Sequence, residues 1–381
     1  MKIHRRLMIP VLILMIIGVS ACTRTDEEQA SAAAVRLSDD TIKLAVCHPS
    51  KGSIMALETL RSEGLLDIEK LHVTGIYHGA EKRIYSQALS YVEENDLKWI
   101  TFLELDEAIP VEDLFRENNL SDNFREIFES HDGLIFFGGA DIPPYVFGRE
   151  TNLLTGISTP VRSLYESSFV FHLIGGTQDP SFQGFLDEDP NYPVLGICLG
   201  SQTLNVGAGG TLVQDIWSEV YGQKTYEGVT RMPRETWHTN PYSRIFPELR
   251  LMGYNLHPIR LEKEGKFVVE MGFSPDDAPF IMSAHHQAAE EIGKDLRVIA
   301  VSPDGKVIEA MDHLRFPNVL GVQFHPEFPM LYDGERTFRI TPGDEKETSA
   351  PEILAGNPPS RLFHEKIWSW FAAGLIESHQ R

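Results

Sequence analysis

The sequence predicts an α/β fold, a mostly parallel sheet flanked by helices. Three observations predict it. From Thr41 onward short apolar runs alternate with amphipathic stretches, the runs are apolar on both faces, and the most chemically loaded segments each follow such a run directly. Strands apolar on both faces are covered on both sides, which is the condition of a parallel sheet. In order, Ile42–Cys47 is the first strand, closed by Pro49 and Gly52. Residues 71–77 and 98–103 read as further strands with a helix over 81–94 between them. Ser121–Ser130 reads as an amphipathic helix with Ser121 as its N-cap, feeding a strand over 133–137. Val194–Ile197 and the run from Leu320 are two more strands. Residues 341–359, rich in Pro, Gly, Glu and Thr, read as an exposed loop, after which Ser360 caps a last helix. That helix carries Leu362, Phe363, Ile367, Trp370, Phe371 and Leu375 on one apolar face, a spacing that packs against a core. Residues 221–279 read as an insertion near the site.

The chain has 381 residues, enough for one large core or two modest ones. With 42% hydrophobic residues, 21 Phe and 5 Trp it is globular rather than disordered. A formal charge of -21 argues against nucleic acid as a partner, since phosphate recognition needs a basic face. Three cysteines form neither a disulfide framework nor a repeated CxxC zinc spacing.

The first residues read as an address. Lys2, Arg5 and Arg6 precede the apolar run from Leu7 to Val19, too short to span a bilayer but suited to a secretory signal over residues 1–21. It ends Val19-Ser20-Ala21-Cys22, which resembles the lipobox of bacterial lipoproteins and implies lipidation of Cys22. Removing residues 1–21 takes three positive charges and moves the net charge from -21 to -24. Residues 22–40 then read as a tether and 41–381 as the folded domain. The expected location is the bacterial cell envelope, on a membrane surface outside the cytoplasm.

The chemistry sits at three strand ends, where open α/β sheets bind ligands. Val194–Ile197 runs straight into Gly196-Ile-Cys198-Leu199-Gly200, a G-x-C-x-G elbow that sets a cysteine at a helix N-terminus. The helix dipole there favours a thiolate, and the Leu199 amide faces a developing oxyanion. Such a donor stabilises by about 3–4 kcal/mol. The run from Leu320 ends in His325-Pro326-Glu327, a base with a carboxylate to orient it. The strand over 133–137 ends in Gly138-Gly139-Ala140-Asp141, where Gly139 is a candidate second oxyanion donor.

Together these segments resemble the class I glutamine amidotransferase-like superfamily, in its γ-glutamyl hydrolase branch of cysteine peptidases, which includes γ-glutamyl-γ-aminobutyrate hydrolases. The run from Gly207 to Ile216, His257-Pro-Ile259, Ser283-Ala-His285-His286-Gln287, Ser302-Pro-Asp-Gly305 and Ile308-Glu-Ala310 extend the likeness in order. The resemblance implies a flavodoxin-like sheet, no cofactor and no metal, and a Cys198–His325–Glu327 triad. It implies that Cys198 attacks the γ-carbonyl of a glutamyl amide and forms a γ-glutamyl thioester. It further implies that Gln202, His286 and Gln287 contact the substrate. Leu199 stands where the branch usually has Arg, and Phe137 where it has Pro, which leaves the leaving group open.

Two rivals remain at this level. One is a glutaminase-type domain serving a partner, and the other a silent γ-glutamyl-binding lipoprotein that has no need of a whole triad. A metal on the adjacent His285 and His286 is disfavoured, because neighbours on a strand point to opposite faces. Cys47, at the end of the first strand, would meet Cys198 if their strand ends share an edge, and a disulfide there would silence the enzyme. Self-association is left open.

Overall fold

The computed structural model describes residues 37–381, of which Asp40–Arg381 form one compact unit. The signal segment, Cys22 and most of the tether lie outside the described residues.

Nine strands form the main sheet: β1 (Ile42–Cys47), β2 (Leu71–His78), β3 (Ile100–Leu105), β4 (Gly133–Phe136), β5 (Val194–Ile197), β6 (Arg260–Leu261), β7 (Leu296–Val301), β8 (Ile308–His313) and β9 (Val319–Val322). Their order is β3-β2-β1-β4-β5-β9-β8-β7-β6. Pairing is parallel from β3 through β9 and antiparallel from β9 to β6. The sheet is therefore mostly parallel and flanked by helices, as the apolar runs predict. The strand over 133–137 ends one residue early, and that over 98–103 lies two residues later.

Side chains on a strand alternate between faces, and β1 shows it. Leu44 and Val46 enter one core, with Ile54 and Leu57 of α1 (Lys51–Ser62) and Phe363, Ile367, Trp368 and Phe371 of the C-terminal helix. Ala45 and Cys47 enter the other, with Phe124 and Ile127 of α3 (Ser121–Ser130), Phe169 of α4 (Pro160–Ile174) and Leu204 of α5 (Leu199–Gly207). On the first face also lies Ala88 of α2 (Lys82–Glu94). Cys198 belongs to the first core, so Cys47 and Cys198 occupy opposite faces with β4 between their strands. Both are free thiols.

Four sequence expectations need correction. Leu120, not Ser121, caps α3; the Ser121 hydroxyl instead accepts the Asn118 N–H. The last helix, α6, runs Pro359–His379, and Ser360 lies inside it, wholly buried and accepting the Phe280 N–H. Leu362 is exposed on that helix, whereas Trp368 is fully buried. Residues 341–359 are not an exposed loop: Thr348–Ser349 pairs with Thr337–Phe338, the helix Ala350–Ala355 follows, and Ala350 and Leu354 are buried. Their few apolar anchors are spaced for one helical turn, and the surrounding Pro and Gly hide that period. The segment 221–279 is folded into the body, since it supplies β6 and the strand Asn255–Pro258, which pairs antiparallel with Phe280–Ser283.

Close packing at β5 explains its glycines. A methyl on Gly196 would lie 2.6 Å from Gly200 O, and one on Gly200 would overlap Phe136 O. Gly200→Ala is expected to lower unfolding stability by at least about 2 kcal/mol, because the overlapped atom is backbone and cannot rotate away. Gly253→Ala, where nothing stands within 4 Å, is the control. Urea midpoints of the two variants decide it: equal midpoints would remove the steric account.

Candidate active site

β4, β5 and β9 are adjacent and parallel, so their carboxyl ends open on one edge of the sheet. All three predicted segments therefore meet. Val322 O accepts the Cys198 N–H at 2.8 Å, which ties the elbow to the strand that carries the histidine. Cys198 itself has φ +54° and ψ −107°. A non-glycine residue takes that conformation at a cost of about 1–3 kcal/mol. The turn aims the side chain out of the sheet edge while α5 starts at once.

A methyl on Gly138 would stand 3.0 Å from His325 Cε1 and 3.3 Å from Cys198 Cβ, so the three segments converge on Gly138. His325 is 6% exposed and Cys198 7%, which keeps bulk water from screening them. His325 Nδ1 lies 2.7 Å from Glu327 Oε1, and the Cys198 sulfur is close enough to act on the same ring. Burial lowers the imidazole's proton affinity, but the Glu327 carboxylate and the Cys198 sulfur outweigh it and hold His325 well above its ordinary value. Gln323 Nε2 reaches Cys198 Sγ at 3.8 Å from the far side. Phe328 stacks on the His325 ring with centroids 4.1 Å apart. The turn between His325 and Glu327 is fixed at Pro326 O, which accepts Tyr332 Oη at 2.6 Å and Trp368 Nε1 at 3.1 Å.

The Gly138-Gly139 turn is held by a residue that no sequence motif marks. Arg162 is wholly buried and donates Nη2 to Phe137 O at 2.5 Å, Nη1 to Gly138 O at 3.2 Å and Nε to Glu166 Oε1 at 2.7 Å. With the carbonyls turned toward the guanidinium, a methyl on Gly139 would overlap Arg162 Nη1, which explains why this position is glycine. Leu199 opens α5, so its N–H has no acceptor within the helix.

Of the remaining predicted residues, His286 lies beside open space and two do not. It lines a cavity of 550 Å³ with Asp215, Trp217, Tyr226 and Arg244. Its Nε2 is 3.1 Å from both Asp141 oxygens and its Nδ1 is 3.3 Å from Asp215 Oδ2. Burial opposes its charge, but the two carboxylates raise it to about 9, so His286 is a cation at neutral pH. Gln202 is buried and donates to Gln287 O and Gln323 Oε1, each at 3.2 Å. Gln287 is buried and donates to Gln214 O at 3.1 Å. Asp141 and Asp215 stand inside the runs Gly138–Asp141 and Gly207–Ile216, so a carboxylate in each was a legible signal. A second cavity, of 320 Å³, opens at His325 and Gly138 and is walled by Tyr254, Phe328, Met330 and Arg336. A larger depression of 710 Å³ beside β6 carries charged side chains and no nucleophile, away from these strand ends.

His238, His257, His285 and Glu309 form a separate buried group behind the His286 wall. Burial lowers His257 to about 4 despite Glu309 beside it.

Residues 109–327 match the family model Peptidase C26, a stretch that holds Gly139, Cys198, His325 and Glu327. The chain is 28% identical over 207 residues to the putative glutamine amidotransferase-like protein YvdE of Lactococcus lactis, covering 54% of this chain and 70% of that protein. It is 32% identical over 205 residues to a putative glutamine amidotransferase of Mycobacterium tuberculosis, covering 53% and 52%. To the gamma-glutamyl-gamma-aminobutyrate hydrolase PuuD of Escherichia coli it is 31% identical over 139 residues, covering 36% and 46%. The chain thus spans from about half to 70% of the length of these relatives. A solved glutamine amidotransferase from Thermotoga maritima aligns over 88% of this chain and 98% of its own at 13% identity, with a TM-score of 0.37.

The pair His325–Glu327 sets a pH test. The carboxylate raises the imidazole, so the imidazolium persists through neutral pH and is lost as pH rises through the folded-state value. Glu327→Gln removes that support. The alkaline limb of the Cys198-dependent turnover rate is expected to move to lower pH, and turnover to fall about 100-fold. An unmoved alkaline limb would show that Glu327 does not set the charge of His325.

Proposed function

The chain belongs to the Peptidase C26 family, and on that premise we propose that it is a cysteine hydrolase of γ-glutamyl amide or peptide bonds. One observation supports this above the rest: a strained elbow cysteine beside a histidine that a carboxylate holds 2.7 Å away, at the ends of neighbouring parallel strands. Cys198 Sγ attacks the γ-carbonyl, and the N–H groups of Gly139 and Leu199 face the oxygen as it becomes negative. His325 Nε2–H gives its proton to the leaving nitrogen, the C–N bond breaks, and a γ-glutamyl thioester remains. Water then gives a proton back to His325 and its oxygen to the thioester carbon, releasing glutamate and restoring the Cys198 thiolate. Glu327 keeps the ring oriented throughout.

Gln202 and Gln287 act from behind the pocket, fixing Gln323 and the strand end. His286 and Asp215 line the 550 Å³ cavity, which is distinct from the one at His325, and Asp141 holds the His286 ring. The PuuD likeness favours a γ-glutamyl amine or dipeptide over glutamine, since a hydrolase needs no ammonia-accepting partner. The anchoring of the chain to an envelope membrane through Cys22 is part of the same proposal. Among the described residues no helix is long and apolar enough to cross a membrane.

Two experiments test this. The full chain, offered a panel of γ-glutamyl amines, dipeptides and glutamine, is expected to release glutamate, with Cys198→Ala lowering the rate by at least about 1,000-fold. Glutamate release that survives Cys198→Ala would overturn the mechanism, and release from glutamine alone would favour the glutaminase. Binding without turnover by both proteins would favour the silent binder. Labelled palmitate fed to a bacterial host is expected to mark the wild-type chain and not Cys22→Ser; equal labelling of both would refute the anchor at Cys22.

A further inference from the structure

The buried group behind the pocket wall is harder to explain as ordinary packing. His238 and His257 come from the 221–279 segment, His285 follows the strand Phe280–Ser283, and Glu309 lies near the start of β8. Their side chains are 0–2% exposed. His238 Nδ1 is 3.2 Å and His257 Nε2 3.9 Å from Glu309 Oε1, and His285 Nε2 is 3.6 Å from Glu309 Oε2. Yet these contacts are poorly aligned for hydrogen bonds: His238 Nδ1 and Nε2, His257 Nε2, His285 Nε2 and both Glu309 oxygens lack a partner of hydrogen-bond geometry among the described residues. Buried polar atoms almost always have one, and leaving a buried charge without one is costly.

The outer hydrogen bonds sharpen the difficulty. His257 Nδ1 donates to Pro258 O at 2.9 Å, and His285 Nδ1 donates to Gln287 O at 2.8 Å. A carbonyl only accepts, so each Nδ1 carries the proton, and in a neutral ring each Nε2 is a bare lone pair. Two lone pairs and a carboxylate then face one another in a buried space, which calls for a proton or a cation between them. A donated far-side N–H to a backbone carbonyl is also how metal-bound histidines are oriented.

The distances select the cation. Four ligand atoms about 2.1 Å from a tetrahedral centre stand about 3.4 Å apart. The 3.2 Å and 3.6 Å separations of His238 and His285 from Glu309 bracket that value, and the ligand atoms of these three residues all lie within 4.8 Å of one another. Imidazoles with one carboxylate suit Zn²⁺, whereas Ca²⁺ and Mg²⁺ take oxygen ligands.

We propose that His238, His285 and Glu309, whose ligand atoms lie within 4.8 Å of one another, bind one Zn²⁺ that fastens the 221–279 segment to the sheet and backs the His286 wall, with His257 packed beside it. The site is buried apart from Cys198 and takes no part in the chemistry there. The proposal does not rest on the hydrolase reading. His285 serves the metal and His286 the cavity, so the adjacent rings have different surroundings.

The test uses the full chain carrying Cys198→Ala, so that no catalytic thiol competes for metal. Chelator-stripped protein is titrated with zinc chloride against a chromophoric chelator. One equivalent should bind with sub-micromolar affinity, and free zinc at 100 times the dissociation constant should raise Tm by about 3–4 °C. Cobalt(II) should give the intense visible band of a tetrahedral site. Glu309→Gln and His238→Gln should each weaken zinc binding at least about 10-fold, and His286→Gln should not. No stoichiometric uptake by the chain, an octahedral cobalt spectrum, or affinity lost with His286→Gln but kept in Glu309→Gln would each overturn the site. The uptake and cobalt measurements need no ligand variant, so they decide the question even where a ligand variant fails to fold.

Discussion

The backbone turn at Cys198 is the constraint on which the rest of the site depends. At φ +54° and ψ −107° the residue joins a strand to a helix without a connecting loop. That junction closes only if β5, α5 and β4 approach to backbone contact, which is why Gly196 and Gly200 leave no room for a methyl. The strain, about 1–3 kcal/mol, is offset by an almost wholly buried α5 and by the hydrogen bond from Cys198 N–H to Val322 O. The same hydrogen bond couples nucleophile to base, since His325 lies three residues beyond Val322.

Around the elbow, charge is used to aim groups rather than to add stability. Replacing a buried ion pair by apolar side chains is often neutral, so Arg162–Glu166 is poorly explained as a fold stabiliser. Its guanidinium instead directs its donors to Phe137 O and Gly138 O, and this orients the peptide units of the Gly-Gly turn. Trp368 and Tyr332 do the equivalent for Pro326 O, setting the angle of the turn between His325 and Glu327. Both devices act on backbone carbonyls, so neither leaves a side-chain motif at the site itself. His286 between Asp141 and Asp215 follows the same logic from another direction, with two carboxylates fixing one cationic ring.

Most of the fold was legible because its signals are local. A buried strand needs a short run of apolar residues, and Ile42–Cys47 and Val194–Ile197 lie where those runs place them. Glycines bracketing a cysteine after such a run mark an elbow before any contact is known. Residues 341–359 misled for the converse reason: Ala350 and Leu354 anchor one helical turn, too brief a period to stand out among Pro and Gly. The Ser121 cap failed by one residue because the hydroxyl closes the turn at Asn118 instead.

By itself the sequence determined the strand–helix alternation, the three strand-end motifs and their order, because each depends on residues within a few positions of one another. Only the tertiary structure decided that β4, β5 and β9 are neighbours, that Cys47 and Cys198 lie on opposite faces, and that Arg162 holds the Gly-Gly turn. It alone brought His238, His257, His285 and Glu309 together, since no spacing along the chain links them. Which strands pair and which helix covers which face is settled by the packing of the whole core. Distant residues meet only as its consequence.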